Sequence, residues 1–316
     1  MDIKTLADSI QEQAEKIIIG KSDRIRLIIM AVLAGGHVLL DDLPGVGKTT
    51  LVKTVSLALG CQSGRIQFVP DMLPSDIIGM RIFNQKSGDF ELRQGPVMTN
   101  ILLADEINRT SAKTQAALLE VMEEMHATVD GVTYQLPDPF VCMATQNPLG
   151  SAGTHPLPDS QLDRFMVRLS MGYPTIENTI EIVQLRQGVD PLDSVRAVAT
   201  AEDIRFMRSA VTAVYIDESL IRYAAELCDR TRHLEEVEQG VSPRAVLALV
   251  QMAKASAYMR GRNYVVPEDI QSLYTDVCAH RLILTPRAKI RKRSPEQILL
   301  EVLKTVKAPA PATRRK

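Results

Sequence analysis

Residues 42–50, DLPGVGKTT, combine two glycines with a lysine and a threonine, and they stand between a short apolar run and a helical pattern. Such a loop can bind phosphate, because the free backbone N–H groups and the positive dipole end of a new helix point at the ligand. Gly45 and Gly47 permit positive φ angles and close approach. Lys48 can place its charge on the phosphates, and the Thr49 hydroxyl can ligate Mg²⁺. The loop predicts a nucleoside triphosphate site.

Two carboxylates, Asp105 and Glu106, end a later apolar run, residues 101–104. They are predicted to lie at the carboxyl edge of a parallel sheet, where open α/β folds bind ligands. Asp105 can hold Mg²⁺ through its water shell, and Glu106 can accept a proton from the attacking water. Asn147 ends a further apolar run, and its amide can hydrogen-bond the γ-phosphate and the same water. An intact Glu106 favours hydrolysis over binding alone.

Hydrolysis also needs positive charge on the γ-phosphate, and arginine suits this role because its guanidinium is planar and always charged. Three arginines are candidates: Arg109 after the second of these strands, Arg164 in QLDRF and Arg244 in VSPRA. For an isolated arginine, a surface ion pair is the more common role. The residues alone leave the choice open.

Strands and helices must position these side chains. Up to about residue 172, apolar runs of strand length alternate with helical patterns such as 23–34 and 113–125. This alternation favours a parallel sheet covered by helices on both faces. The predicted strands are 37–40, 66–69, 101–104, 140–144 and 166–170.

After Tyr173-Pro174 the pattern is helical alone, which predicts a domain boundary near residue 173. Ser242-Pro243 is typical of a helix start, with an N-cap followed by proline at the first helical position. The division is therefore a core over 1–172, a helical domain over 173–306 and a disordered tail over 307–316. The predicted helices are 175–187, 201–213, 217–232, 243–260, 267–280 and 295–306.

Two stretches interrupt the α/β alternation, and each reads as a β-hairpin. Residues 80–97 alternate around Ser87-Gly88, and residues 128–136 alternate around Asp130-Gly131. They are either surface loops or functional hairpins that line a pore or contact a substrate.

The composition is that of an ordinary globular protein, with 37 basic and 38 acidic side chains among 316 residues. The balance gives no global field for nucleic acid or membranes. The N-terminus lacks the apolar segment of a signal peptide, and residues 27–40 are too short to span a bilayer, so we expect a cytoplasmic protein. The cysteines are widely spaced and are expected to be reduced core thiols: Cys61, Cys142, Cys228 and Cys278.

Five separated motifs resemble the MoxR-type AAA+ ATPases in order and rough spacing: the phosphate loop, ILLADEINRTSAKTQAALLEVMEE, VCMATQNP, LPDSQLDRF and GVSPRAVLALV. The stretches HVLLDDLPGVGKTT and QFVPDMLPSDIIG are also similar to that family. The resemblance covers about residues 16–303. It implies an α/β fold, namely a P-loop AAA+ αβα sandwich with a parallel sheet, followed by a smaller all-α helical lid domain.

The resemblance also assigns roles to single residues. The hairpin at 80–97 resembles the insert of the helix-2-insert branch, which magnesium chelatase and minichromosome-maintenance helicases share. Whether Arg244 serves its own nucleotide or a neighbour's is left open. Asp42 stands where the general loop has glycine, but acidic residues are familiar there in MoxR-like sequences. The implied roles are nucleotide binding for Pro44, Gly45, Val46, Gly47, Lys48, Thr49, Thr50 and Asp105, with Mg²⁺ on Thr49 and Asp105; adenine packing for Ile19 and Gly20; and catalysis for Glu106, for the γ-phosphate sensor Asn147, for the arginine finger Arg164 and for the lid sensor Arg244.

An arginine finger completes a site between subunits, and head-to-tail contacts that close form rings, so a hexamer is expected. The resemblance implies ATP and Mg²⁺ as ligands, a client protein that is remodelled or activated, and a partner with a von Willebrand factor A domain. Nucleic acid is not expected as a partner. Metal or cofactor insertion into the client is part of this expectation.

Two other functions stay open at this stage. A nucleic-acid motor is suggested by the shared insert and by the basic run 289–293, although aromatic residues are only 4% of the chain and leave little for base stacking. A nucleotide-gated binding module that hydrolyses slowly is the other.

Overall fold

The computed structural model describes residues 3–43, 45–147, 157–188 and 190–309. Its strands are β1 Val38–Asp41, β2 Ser63–Gln67, β3 Gly79–Asn84, β4 Asp89–Gln94, β5 Ile101–Asp105, β6 His126–Val129, β7 Val132–Gln135, β8 Val141–Gln146, β9 Val167–Leu169, β10 Val237–Gln239 and β11 Ile283–Leu284. Its α-helices are α1 Ile3–Glu15, α2 Ser22–Leu33, α3 Lys48–Ala58, α4 Pro74–Ile78, α5 Ala112–Glu124, α6 Asp159–Leu162, α7 Ile176–Leu185, α8 Ala201–Ala213, α9 Glu218–Arg230, α10 Pro243–Met259, α11 Pro267–Cys278, α12 Pro286–Ile290 and α13 Pro295–Thr305.

Five parallel strands form the central sheet in the order β2-β5-β8-β1-β9. Strand β1 lies between β8 and β9, and Val38 pairs with Met143 on one side and with Val167 on the other. The chain leaves β1 for the far edge at β2 and later returns past β1 to β9. The strand order therefore reverses beside β1, which is where such sheets bind ligands.

Both faces of the sheet are buried, which explains the uninterrupted apolar runs in the sequence. Val38 and Leu40 of β1 point into a large hydrophobic cluster, and Leu39 points into a second cluster on the other face. The large cluster also takes in α1, α2 and α3 together with helices that follow residue 200. The helical part thus packs on the same layer that supports the glycine-rich loop. The domain boundary at residue 173 stays a prediction.

The predicted strand at 66–69 is misplaced, since β2 begins at Ser63 and ends at Gln67. β2 is an edge strand in which only Ile66 is buried. Its other residues are polar or small, so the sequence shows no apolar run that marks the strand. The register with β5 runs from Ser63 to Gln67, and the buried Phe68 follows the strand.

In the part of the chain that the structure describes, three antiparallel strand pairs lie outside the main sheet. The pairs β3–β4 and β6–β7 are hairpins, and their bounds differ by one to three residues from the stretches that the sequence predicts. The third pair, β10–β11, is a short addition to the helical part that the sequence pattern did not indicate. Among the described residues, no helix combines the length and apolar character needed to cross a membrane.

Candidate functional site

The glycine-rich loop joins β1 to α3 through two left-handed residues, Gly45 with φ +86° and Gly47 with φ +91°. A Cβ at either position would meet no atom within 4 Å, so the dihedral angles and not crowding require glycine. Gly47 is the N-cap of α3 and brings no side-chain cap to the first N–H groups of that helix. The turn is therefore an open cradle that fits a phosphate group. Pro44 lies outside the described residues.

Lys48 is buried at the base of this turn. Its Nζ donates to the carbonyl oxygens of Asp42 at 2.5 Å and Gln146 at 3.1 Å, so it joins the carboxyl ends of β1 and β8. Desolvation by burial lowers the pKa of Lys48, against the opposing effect of Asp42 and Asp105. A partly desolvated ammonium interacts more strongly with an anion than one in water.

The Asp42 carboxylate connects the turn to the segment after β9 by hydrogen bonds. It accepts hydrogen bonds from the Ser170 hydroxyl at 2.7 Å, from the Gly172 N–H at 3.2 Å and from the Met171 N–H. These donors belong to the segment that follows β9. The departure from glycine at this position therefore has a structural reason: the side chain ties the loop to the neighbouring strand.

Asp105 stands at the end of β5, facing the start of α3. Its Oδ1 accepts from the Thr145 hydroxyl at 2.6 Å, and its Oδ2 accepts from the Thr49 hydroxyl at 3.3 Å. Arg65 of β2 pairs with the same Oδ2 at 2.8 Å. A hydroxyl and a carboxylate side by side are the oxygen donors that Mg²⁺ takes beside a triphosphate, so these residues fit the ion.

Glu106 follows with a left-handed backbone, φ +57°, which is costly for a residue with a Cβ. Its N–H donates to the Thr145 hydroxyl at 2.9 Å. Its carboxylate turns to other partners, because Oε2 accepts from Gln67 Nε2 at 3.0 Å and from Arg109 Nη1 at 3.0 Å. Arg109 is thus an ion-pair partner of Glu106.

Asn147 directly follows β8, at the same edge of the sheet. The Asn108 side-chain amide donates to the Asn147 carbonyl at 3.0 Å and fixes the backbone there. Lys48, Thr49, Asp105, Glu106 and Asn147 therefore meet at the carboxyl edge of the sheet, as the sequence predicts. Their assignment to catalysis and binding stays a prediction.

Gly20, which follows Ile19, lies against the first turn of α7. Gly20 has φ +69°, and a Cβ on it would come within 2.0 Å of the Asn178 amide nitrogen. The neighbouring Lys21 donates from Nζ to the Tyr173 carbonyl at 3.3 Å. These contacts do not test the predicted role of Ile19 and Gly20 in packing against adenine.

A cavity of 390 Å³ lies nearby, between the start of α3 and the chain that follows α7. Apolar Ile17 and Leu192 line it together with polar Thr50 and Arg186. A mixed lining of this kind suits a small heterocycle with a polar rim.

Arg164 and Arg244 occupy a different place. Arg164 precedes β9, and it pairs with Glu123 in the last turn of α5. Arg244, in the first turn of α10, pairs with the same Glu123 at 2.5 Å. His37, which directly precedes β1, lines the same small cavity as these three residues. Because the strands are parallel, this cluster is at the amino edge of the sheet, opposite the glycine-rich loop.

Asp163, which precedes Arg164, contacts Ser242, the residue before α10. Its Oδ2 accepts from the Ser242 hydroxyl at 2.9 Å, and its Oδ1 accepts from Arg281 Nε at 2.7 Å. Ser242 is the N-cap residue of α10, but its hydroxyl serves this contact instead of capping the helix. The start of α10 is thereby docked beside Arg164.

Comparison with known proteins decides the family. The model of the ATPase family associated with various cellular activities (AAA) matches residues 37–167, and that of the AAA lid domain matches residues 229–302. Chaperone MoxR1 of Mycobacterium tuberculosis is 40% identical over 98% of this chain and 83% of its own length. The chain belongs to the MoxR family of AAA+ ATPases.

Further similarities support this MoxR-family assignment. The uncharacterized protein YeaC of Bacillus subtilis is 46% identical over 98% of this chain and 96% of its own. A crystal structure from Cytophaga hutchinsonii, described as a candidate ATPase, superposes with a TM-score of 0.91 at 36% identity, covering 98% of this chain and 96% of the other. The αβα core with a helical lid is therefore confirmed.

Sequence reasoning missed several polar residues of this MoxR-family site. Thr145 stands within the VCMATQNP motif and contacts both acids, so its place before Asn147 was an available signal. Arg65 and Gln67 lie on the polar edge strand β2, which gave no signal until the register with β5 was known. Glu123 reads in sequence as an ordinary solvated helix residue.

The basic run at residues 289–293 is partly neutralised in this MoxR-family chain. Arg293 pairs with Glu236 at 3.0 Å and with Glu301 at 2.5 Å. Its guanidinium is therefore committed to two carboxylates. Neither these ion pairs nor the relatives favour the nucleic-acid motor.

Proposed function

We propose that this MoxR-family chain binds ATP with Mg²⁺ at the carboxyl edge of the sheet and hydrolyses it. One observation carries the proposal: Lys48, Thr49, Asp105 and Glu106 converge beside an open glycine turn. Each residue type has the chemistry that triphosphate hydrolysis needs. The neighbouring cavity beside Ile17 and Thr50 is the proposed place of the base.

The position of each residue determines its proposed role. Lys48 and the first N–H groups of α3 bind the phosphates, and Thr49 and Asp105 hold the metal. When bound, Mg²⁺ neutralises charge on the phosphate oxygens. The Thr145 hydroxyl orients Asp105 through a hydrogen bond of 2.6 Å.

Glu106 is the proposed general base, with Asn147 orienting the water. In this structure its Oε2 is engaged by Gln67 and Arg109, both at 3.0 Å. An ionised carboxylate has lone pairs on both oxygens, so the two contacts on Oε2 orient the group and Oε1 is the proposed acceptor of the proton from water.

Calorimetry with ATP and Mg²⁺ tests the site. Lys48→Ala removes the phosphate charge and should lose the binding heat, whereas Glu106→Gln should keep binding and slow turnover by about 100-fold or more. A Glu106→Gln chain that hydrolyses as fast as the parent contradicts the base assignment. Binding heat that persists in Lys48→Ala contradicts the site itself.

We also propose that the site is completed by a second copy of the chain in a ring, with six copies as the expected number. Arg164 and Arg244 support this, because they lie at the sheet edge opposite to their own glycine turn. Strand β1 alone spans roughly 13 Å between the two edges. An arginine so placed can serve a neighbour's γ-phosphate, and head-to-tail contacts of this kind close into rings.

Mixed subunits test the shared site. Lys48→Ala and Arg164→Ala chains should each be inactive alone, and a 1:1 mixture should recover about a quarter of the parent rate. The reason is that half of the subunits bind ATP and half of those face an intact arginine donor. A mixture that stays as inactive as its components contradicts the sharing of sites.

The proposed use of the ATPase is remodelling or activation of a client protein, including metal or cofactor insertion, with a von Willebrand factor A domain protein as partner and in the cytoplasm. The relative named Chaperone MoxR1 supports the remodelling part. Affinity capture with the Glu106→Gln chain in ATP tests it. If the Glu106→Gln chain in ATP retains no protein beyond those that the ATP-free chain retains, the result contradicts the remodelling proposal.

A further inference from the structure

A single carboxylate bridges the two arginines at the amino edge of the sheet. Glu123 Oε2 pairs with Arg164 Nη1, and Glu123 Oε1 pairs with Arg244 Nη2 at 2.5 Å. Arg164 comes from the segment before β9 and Arg244 from the helical lid. Two arginines that are 80 positions apart in sequence thus share one partner.

The bridge is anchored to the body of the protein. Arg164 Nη1 also donates to the carbonyl of Leu119 at 3.1 Å, one turn before Glu123 in α5. Leu119 is buried in the second hydrophobic cluster, so this carbonyl is a fixed point. The position of Arg164 therefore follows from the packing of α5.

The pairing leaves the guanidinium groups usable. Each arginine contacts Glu123 through one terminal nitrogen, and neither pair is the two-bonded fork that would cover the guanidinium edge. The three side chains are also partly exposed, at 32% for Arg164, 44% for Arg244 and 39% for Glu123. N–H groups remain available for a phosphate from outside.

The charge balance explains why a carboxylate is needed here. Two guanidinium groups that converge on one place repel each other, and each side chain loses considerable rotamer freedom when it is fixed. A shared anion offsets the repulsion and fixes both chains before a ligand arrives. Pre-ordered charge of this kind is what stabilises a transition state without rearrangement.

We propose that Glu123 is a positioning residue, which holds Arg164 and Arg244 ready for the triphosphate bound by a second copy of this chain. This rests on the proposed function, since it presumes that the arginines act between subunits. Glu123 itself touches no substrate. Its effect is on the rate of the neighbour's hydrolysis and not on ATP binding.

The first test separates kcat from KM. Glu123→Gln keeps the size of the side chain and removes its charge, and it should lower kcat by about 10- to 100-fold, with KM for ATP within about twofold of the parent. Glu123→Asp retains the charge and should recover part of the rate. Glu124→Gln is the matched control, the same change at an exposed neighbour, and should keep the parent kcat. A Glu123→Gln chain with parent or higher kcat overturns the proposal.

The second test asks on which side of the interface Glu123 acts. Glu123→Gln subunits have an intact ATP site and faulty donors, so a 1:1 mixture with Lys48→Ala should recover up to about a quarter of the parent rate. A mixture with Arg164→Ala should stay at or below the rate of Glu123→Gln alone, because neither component has a fully working donor. A merely misfolded variant would recover with neither, and that result overturns the proposal.

The outcomes keep this inference distinct from the proposed function. If Lys48→Ala with Arg164→Ala fails to recover, the shared site itself is wrong. If that mixture recovers and Glu123→Gln with Lys48→Ala does not, only the role of Glu123 is wrong.

Discussion

Asp42 illustrates how one side chain can serve the loop without touching the ligand. Its carboxylate accepts from Ser170, Met171 and Gly172, and its carbonyl accepts from Lys48. A glycine at this position would leave Ser170, Met171 and Gly172 without the carboxylate that accepts their hydrogen bonds. The acid is therefore part of the support of the turn.

Replacing Asp42 with glycine should harm the protein although it restores the general phosphate-loop pattern. Loss of a charged acceptor at a buried site is expected to lower the free energy of unfolding by about 2 kcal/mol and to weaken ATP binding. Urea unfolding and calorimetry measure the two effects. Asp41→Gly is the matched control, since the ion pair of the Asp41 carboxylate with Arg168 is a long contact of 3.8 Å. An Asp42→Gly chain more stable than the Asp41→Gly chain would show that the hydrogen bonds do not support the turn.

At the scale of elements, periodicity and turn residues predicted most helices and strands closely. Helix α8 is the clearest case, with identical predicted and observed bounds of 201–213. It has both halves of a capping box, Thr200 and Asp203, so the local sequence alone marks its start. Strand β2 is the opposite case, because an edge strand needs few apolar residues and its limits are set by pairing with β5.

The candidate site divides in the same way. Residues of the loop and the acids Asp105 and Glu106 could be predicted, because a local pattern of strand, turn and helix places them. The contacts of Arg65 with Asp105 and of Glu123 with both arginines could not be predicted, because they depend on how elements distant in sequence pack together. Pairing across the fold leaves no trace in the spacing of a single sequence.

At the scale of the whole molecule, buried histidines link stability to pH. His37 joins three elements: it precedes β1, its Nε2 donates to the Met122 carbonyl of α5 at 2.9 Å, and its Nδ1 accepts from the Cys142 N–H of β8 at 3.0 Å. Protonation would put a hydrogen on Nδ1 against that N–H. Burial lowers the pKa of His37 from 6.5 to about 4, and burial also lowers the pKa of His280 well below its usual value.

Stability should therefore fall as the pH is lowered from 7 to 5. The folded pKa of His37 is below the unfolded one, so the unfolded chain binds the extra proton between about pH 6.5 and pH 4. The stabilising contribution is present above pH 6.5 and is lost as the pH falls through this window, by about 2 kcal/mol between pH 7 and pH 5 for His37. Urea unfolding at a series of pH values measures it. His37→Gln should show a shallower dependence on pH whatever its absolute stability, and His233→Gln, at an exposed site, should keep the parent slope. Equal slopes in the parent and His37→Gln would mean that His37 takes up its proton as easily in the folded protein as in the unfolded chain.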